Sequence, residues 1–151
     1  MTGGQVGGMT GGQAGGMTGG EVGGMTILPD PTCENYCTIV MESCTDGNQQ
    51  YDNVESCIDY CLNVAQWDLG TADAVDGNSI GCRTYHADVA SMMDPDIHCA
   101  HAGPTGGGVC GSYCESYCQL AGNNCQGDYA LYEEETECLS CLLYTSPSPR
   151  D

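Results

Sequence analysis

Apolar and cysteine positions along this chain fall into stretches of helical spacing separated by polar breaks. Cys33, Cys37, Val40, Met41 and Cys44 recur every three or four residues on one helix face, with Asp30-Pro31 supplying a cap and a first-turn proline. Thr45-Asp46-Gly47-Asn48 breaks that helix. A second helix, starting near Asn53, carries Cys57, Ile58, Cys61, Val64 and Ala65 on one face. Farther on, Asp76-Gly77-Asn78-Ser79 reads as a turn with a serine cap before a helix from Ile80 to Met93 bearing Cys82, Arg83, His86, Val89, Ala90 and Met93. Asp94-Pro95 ends it and opens a short helix containing His98-Cys99-Ala100-His101, which Gly103-Pro104 stops.

The first pattern recurs. Cys33-Glu34-Asn35-Tyr36-Cys37, then Cys44, Tyr51 and Cys57, returns 81 residues later as Cys114-Glu115-Ser116-Tyr117-Cys118, Cys125, Tyr132 and Cys138. Two antiparallel helices that each carry CxxxC staple face to face, outer with outer and inner with inner, giving Cys33 to Cys61 and Cys37 to Cys57. By the same offset Cys118 pairs with Cys138, and the partner of Cys114 falls at position 142. Spacing alone leaves other connectivities open. The matched tyrosines Tyr36, Tyr51, Tyr117 and Tyr132 are expected to anchor the packing with polar tips.

The two ends differ from this middle. Residues 1 to 28 are three diverged copies of an octapeptide, MTGGQVGG, MTGGQAGG and MTGGEVGG, followed by Met25-Thr26-Ile27-Leu28. So glycine-rich a segment offsets little of its backbone entropy by burial, and it is expected to be a disordered tether spanning roughly 30 Å. Residues 141 to 151, CLLYTSPSPRD, read as one frame of a translated transposase sequencing adapter, so repeat 2 is expected to be truncated at residue 140.

Composition then fixes the class. The 151 residues include 13 Cys, no Phe and one Trp, with two basic against 21 acidic side chains and a net charge of −19. Such a balance excludes nucleic acid as a partner, because nothing here neutralises phosphates. No apolar run is long enough for a transmembrane segment, so membrane anchoring is expected only through a lipoprotein signal lost upstream. Cysteine at this density implies a disulfide framework, made in an oxidising compartment and standing in for a core that this composition could hardly build.

Gly81-Cys82-Arg83-Thr84-Tyr85-His86-Ala87 and His98-Cys99-Ala100-His101-Ala102-Gly103-Pro104, flanked by paired CxxxC segments, resemble Cys-rich exported proteins and lipoproteins of myxobacteria and other bacteria. The resemblance covers residues 33 to 138. It implies export and a tethered domain, and brings no established activity.

All three histidines fall between residues 86 and 101. His86, His98 and His101, with Cys99 or with Met92 or Met93 as a soft donor, supply ligands suited to zinc or copper. Beyond the hairpin bridges remain Cys44, Cys82, Cys99, Cys110 and Cys125, an odd number, and a Cys99 to Cys110 bridge would remove that thiolate. Against the metal reading, these histidines could cap helices or pair with carboxylates. Cys82-x-x-x-His86-Ala87-Asp88 is superficially similar to the Cys-x-x-His-Asp of secreted phospholipases A2, but its histidine is one residue late and the glycine-rich stretch follows rather than precedes it. Asp73-x-x-Asp76-Gly77-Asn78 lacks the alternating ligands of a calcium loop.

The sequence therefore predicts a mostly α, disulfide-rich domain over residues 29–140. Repeat 1 spans 33–61, a central helical segment 76–104, and repeat 2 114–140. Its expected role is a non-catalytic secreted or cell-surface module for binding or display, with an unknown extracellular partner and no cofactor. The alternative is a zinc- or copper-binding module using the histidine cluster.

Overall fold

The computed structural model describes the backbone of residues 29–145 and the side chains of residues 29–140. The tether expected over residues 1–28 and the end of the tail, 146–151, lie outside the described residues. Six α-helices follow one another: α1 Cys33–Ser43, α2 Val54–Asp59, α3 Ile80–Ala90, α4 Pro95–Ala102, α5 Tyr113–Asn124 and α6 Glu135–Thr145. The chain forms a small, mostly helical domain stapled, among the described residues, by five disulfides.

Local chemistry sets most helix starts. Asn53 and Ser56 form a reciprocal capping box on α2, Ser112 and Glu115 do the same on α5, and the Ser79 hydroxyl accepts from the Cys82 N–H on α3. At α1 the cap is Thr32, whose hydroxyl accepts from the Asn35 N–H at 3.2 Å, so the helix starts later than Asp30-Pro31 suggested. The α3 helix likewise stops at Ala90, short of Met93. Asp94 takes a left-handed conformation (φ 42°) to launch Pro95 into α4, and residues 91–94 make the turn. Beyond Asp59 the second helix widens into a π turn over Tyr60–Ala65, which Gln66 (φ 51°) closes.

Bridges Cys33–Cys61 and Cys37–Cys57 hold α2 and its π extension against α1, and Cys118–Cys138 holds α6 against α5. Two longer ties reach the central segment: Cys44–Cys99 joins the end of α1 to α4, and Cys82–Cys110 joins α3 to the loop after α4. Loops of this size are each worth about 3–4 kcal/mol when closed alone, less when nested. Among the described residues Cys114 and Cys125 are free.

The core lies between the first hairpin and α3–α4. Tyr36, Val40, Tyr51, Trp67, Ile80, Ala87 and Ala90 fill it together with half-cystines. Tyr36 meets Tyr51 and Trp67 edge-on, with ring centroids 6.2 and 5.9 Å apart. Its hydroxyl donates to the Ala102 carbonyl at 2.7 Å, so in the 2.9 Å contact between the two phenols Tyr51 is the donor. Tyr117, the counterpart of Tyr36, is instead 44 % exposed: among the described residues its hairpin has no pair of helices over it like α3 and α4, and α5 meets the π turn and the 106–108 turn instead.

At the centre sits Arg83, fully buried. Its guanidinium lies 3.9 Å over the Trp67 ring and donates to the carbonyls of Ser79, Gly103 and Pro104 and to Asn78 Oδ1. Arg83→Met would remove the side-chain donor from the Pro104 carbonyl and Asn78 Oδ1 and leave the Ser79 and Gly103 carbonyls only their backbone donors, the N–H groups of residue 83 and Gly106. We expect a loss of about 2–4 kcal/mol in denaturant unfolding of the oxidised protein.

Burial raises the pKa of both Tyr36 and Tyr51 above the ordinary value of 10.0, the nearby phenol adding to the effect at Tyr51. A raised value means that the fold favours the neutral phenols. Their contribution is intact below about pH 10, where the unfolded chain also keeps its protons, and is lost as pH climbs beyond it. Tyrosinate absorbance of the folded protein should therefore stop short of the full nine tyrosines until alkaline unfolding releases the rest. In Tyr36→Phe/Tyr51→Phe that late component should shrink by these two phenols, leaving the half-buried Tyr60, which burial also raises.

Candidate metal centre

Two helices and a turn assemble the histidine cluster. α3 supplies His86, and α4 supplies His98 and His101, three residues apart and so neighbours on one helix face. Cys99 lies between them in sequence but roughly 130° away around the helix from their mean direction. Its bond to Cys44 fixes the roll of α4, leaving the histidine face turned toward α3. This corrects the assignment of Cys99 as a donor, or as the partner of Cys110: a sulfur in a disulfide offers no thiolate. Cys82 and Cys110 lie beside His86 but are bonded to each other. Met92 and Met93, the soft donors considered from sequence, are largely exposed in the turn after α3.

One nitrogen from each of His86, His98 and His101 lies within 4.8 Å of the others. His86 and His98 stack at 23° with Nδ1 atoms 2.9 Å apart, and His101 stands edge-on to both. Nitrogens bound to one tetrahedral zinc at about 2.0–2.1 Å are about 3.3 Å apart. The His86–His98 contact is shorter than that value and the His101 nitrogen lies within 4.8 Å of both, so side-chain rotation can bring the three nitrogens onto one ion.

Proton positions favour this use. His86 Nε2 lies 3.1 Å from the Val75 carbonyl, which only accepts, so Nε2 carries the hydrogen. In neutral His86 the lone pair is then on Nδ1, directed into the cluster, as a carbonyl partner does for metal-bound histidines in general. His98 Nδ1 donates to it in the metal-free protein. His101 Nδ1 is buried with no hydrogen-bond partner among the described residues, a costly arrangement. Burial lowers the pKa of His86, against the Val75 carbonyl and with help from His101 and His98. His101 is lowered by burial and then by His98. Both rings are thus held neutral, the form that binds metal.

The donor set suits zinc or copper. The charge of −19 also draws cations toward the molecule. Sequence reasoning found the three histidines but missed Val75, whose role is backbone and leaves no trace in residue type. It also missed Gly107, which closes the site at φ 56°: a Cβ there would lie 2.9 Å from His101 Cδ2 and 2.8 Å from the Ala100 carbonyl oxygen.

The fold and cluster define a disulfide-stabilised helical domain with a three-histidine centre. The chain matches the BfoA family C-terminal domain over residues 21–113, more than half its length, and it belongs to that family. This overturns the resemblance to exported proteins of myxobacteria. The match takes in the first hairpin and the whole central segment, ending as α5 begins. Over 74 residues, 49 % of this chain, it is 38 % identical to the aurasperone B biosynthesis cluster protein A of Aspergillus niger and to the bifonsecin B biosynthesis cluster protein A of Aspergillus brasiliensis. It covers 23 % and 24 % of those proteins, about a quarter of their length. A putative EGF-like domain-containing protein of Acanthamoeba polyphaga mimivirus is 35 % identical over 75 residues, 49 % of this chain and 14 % of that protein. No solved structure matches.

Gly107→Ala and Gly108→Ala both place a side chain at positive φ, but only the first meets His101, since nothing lies within 4 Å at Gly108. Both should lose roughly 1–2 kcal/mol. Only Gly107→Ala should shift the His101 ring resonances in a long-range nitrogen–proton NMR spectrum.

Proposed function

We propose that this domain is an exported metal-binding module that holds one zinc or copper ion through His86, His98 and His101. The observation that carries the reading is the convergence of three imidazoles, one oriented by Val75 and one with a buried, unpartnered Nδ1. Binding or display without metal, placed first by the sequence, now stands second, because it gives no reason to bury an unsatisfied nitrogen. The five disulfides indicate an oxidising compartment. An extracellular or cell-surface location extends that inference, and the module is read as non-catalytic. The Aspergillus relatives are named for biosynthesis clusters, and a service role beside such a cluster is consistent with a metal module. Among the described residues no helix is long and apolar enough to cross a membrane.

Native mass spectrometry of the oxidised full chain with zinc, copper(I) or copper(II) should show one ion per chain. His86→Ala, His98→Ala and His101→Ala should each weaken binding by about 100-fold or more, and the bound ion should raise the melting temperature. One ion retained in the triple variant, or none bound by the folded wild type, would overturn the proposal. Val75 acts through its carbonyl, so Val75→Ala should leave affinity nearly unchanged.

A further inference from the structure

Positions 81 residues apart in the two hairpins share backbone geometry but not surroundings. Cys44 (φ −106°, ψ 85°) and Cys125 (φ −109°, ψ 85°) close α1 and α5 alike. Single 3-10 turns follow at Asp46–Asn48 and Gly127–Tyr129, entered at φ 53° and 61° and left through Gln49 (−58°, 130°) and Ala130 (−60°, 126°).

In the first hairpin this surface is covered by α4 and the turn after it, held at four points. Cys44 bonds Cys99, Tyr36 donates to the Ala102 carbonyl, Asn48 Nδ2 donates to Asp96 at 2.8 Å, and the Gln50 amide lies against Gly103. The counterparts in the second hairpin are Cys125, Tyr117, Tyr129 and Leu131. Cys125 is a half-buried free thiol, Tyr117 is half exposed, and Tyr129 and Leu131 are 82 % and 60 % exposed. A cavity of about 260 Å³ opens here, lined by Ala121, Gly122, Cys125 and Leu131 among others. Ala121 is the counterpart of Val40, which the central segment buries.

The differences between the hairpins describe the occupant. Tyr129 and Leu131 replace two amides, so the incoming helix is apolar where α4 carries Asp96 and where the chain then places Gly103. Glu133, Glu134 and Glu135 line the same cavity, so the flank of the incoming helix is basic. A second copy of this chain does not fit. At −19 per chain two copies repel, Arg83 is the only Lys or Arg among the described residues and is buried, and Cys99 is already bonded.

We propose that the open face of the second hairpin captures a cysteine-bearing, amphipathic helix of a separate basic polypeptide and closes a disulfide to it at Cys125. The partner cysteine arrives as a disulfide with a low-molecular-weight thiol. The Cys125 thiolate, its proton released to solvent, attacks the partner's sulfur. The bond to the small thiol breaks, and that thiol leaves as a thiolate with the electron pair, so no further oxidant is needed.

The test uses the oxidised full chain and an amidated peptide of residues 94–104 carrying Asp96→Leu and Ala100→Lys, its cysteine activated with thionitrobenzoate. A scrambled peptide of the same composition is the control. Release of thionitrobenzoate should be about tenfold or more faster with the ordered peptide, and peptide mapping should place the adduct at Cys125 rather than Cys114. Cys125→Ser should abolish the fast phase. Leu131→Glu, on an exposed side chain that leaves the helical circular dichroism unchanged, should slow it to the scrambled rate. Equal rates for the two peptides, adduct mainly at Cys114, or indifference to Leu131→Glu would each overturn the proposal.

Discussion

A guanidinium that is buried with no carboxylate in hydrogen-bond contact, among the described residues, dictates how the central segment closes on itself against Trp67. Arg83 loses its water, and its charge is compensated by neutral acceptors and by the face of Trp67. Those acceptors come from separate parts of the chain: residues 78–79 before α3, and residues 103–104 after α4. Satisfying one side chain therefore brings the start of one helix and the end of the next to the same place. Tyr36 adds a second tie by donating to Ala102. A chain with no Phe and one Trp thus organises a small core around polar groups whose hydrogen bonds fix direction as well as distance.

The histidine centre follows from that arrangement. Arg83 and Tyr36 hold the end of α4, the Cys44–Cys99 bond sets its roll, and Cys82–Cys110 ties α3 to the loop beyond. Each histidine then needs little freedom of its own. The energetic asymmetry lies at His101, where the frame tolerates an unsatisfied buried nitrogen while the Val75 carbonyl satisfies the far side of His86. Stability of the metal-free fold alone gives no reason for that difference.

Much of the architecture was legible where the signal was local. Serine and asparagine before the apolar periodicity marked the starts of α2 and α3, and four-residue spacing of cysteines within facing helices pointed to the hairpins themselves. Boundaries went astray where neighbouring residues competed, as when Thr32 displaced Asp30 as a cap and Asp94 ended the central helix early. The long ties were not legible. Five leftover cysteines carry no register, and the pairing of Cys44 with Cys99 across 55 residues depends on how α4 lies over α1. The cluster was found as three histidines close in sequence. Its carbonyl support and glycine lid were not, since both act through backbone that any residue or none could supply. Matched tyrosines also diverged, Tyr36 buried and Tyr117 half exposed, because environment belongs to the neighbours rather than to the repeat.

The placement of Cys99 between two cluster histidines couples two chemistries that are usually separate. If the trio holds a cation, intact Cys44–Cys99 favours binding by restricting the rotation of α4. Thermodynamic reciprocity then requires the bound cation to make that bond harder to reduce by the same free energy. A reducing environment would thus loosen the metal, and loss of the metal would expose the bond to reduction. The covalent state of one sulfur pair and the occupancy of one nitrogen site become a single linked equilibrium.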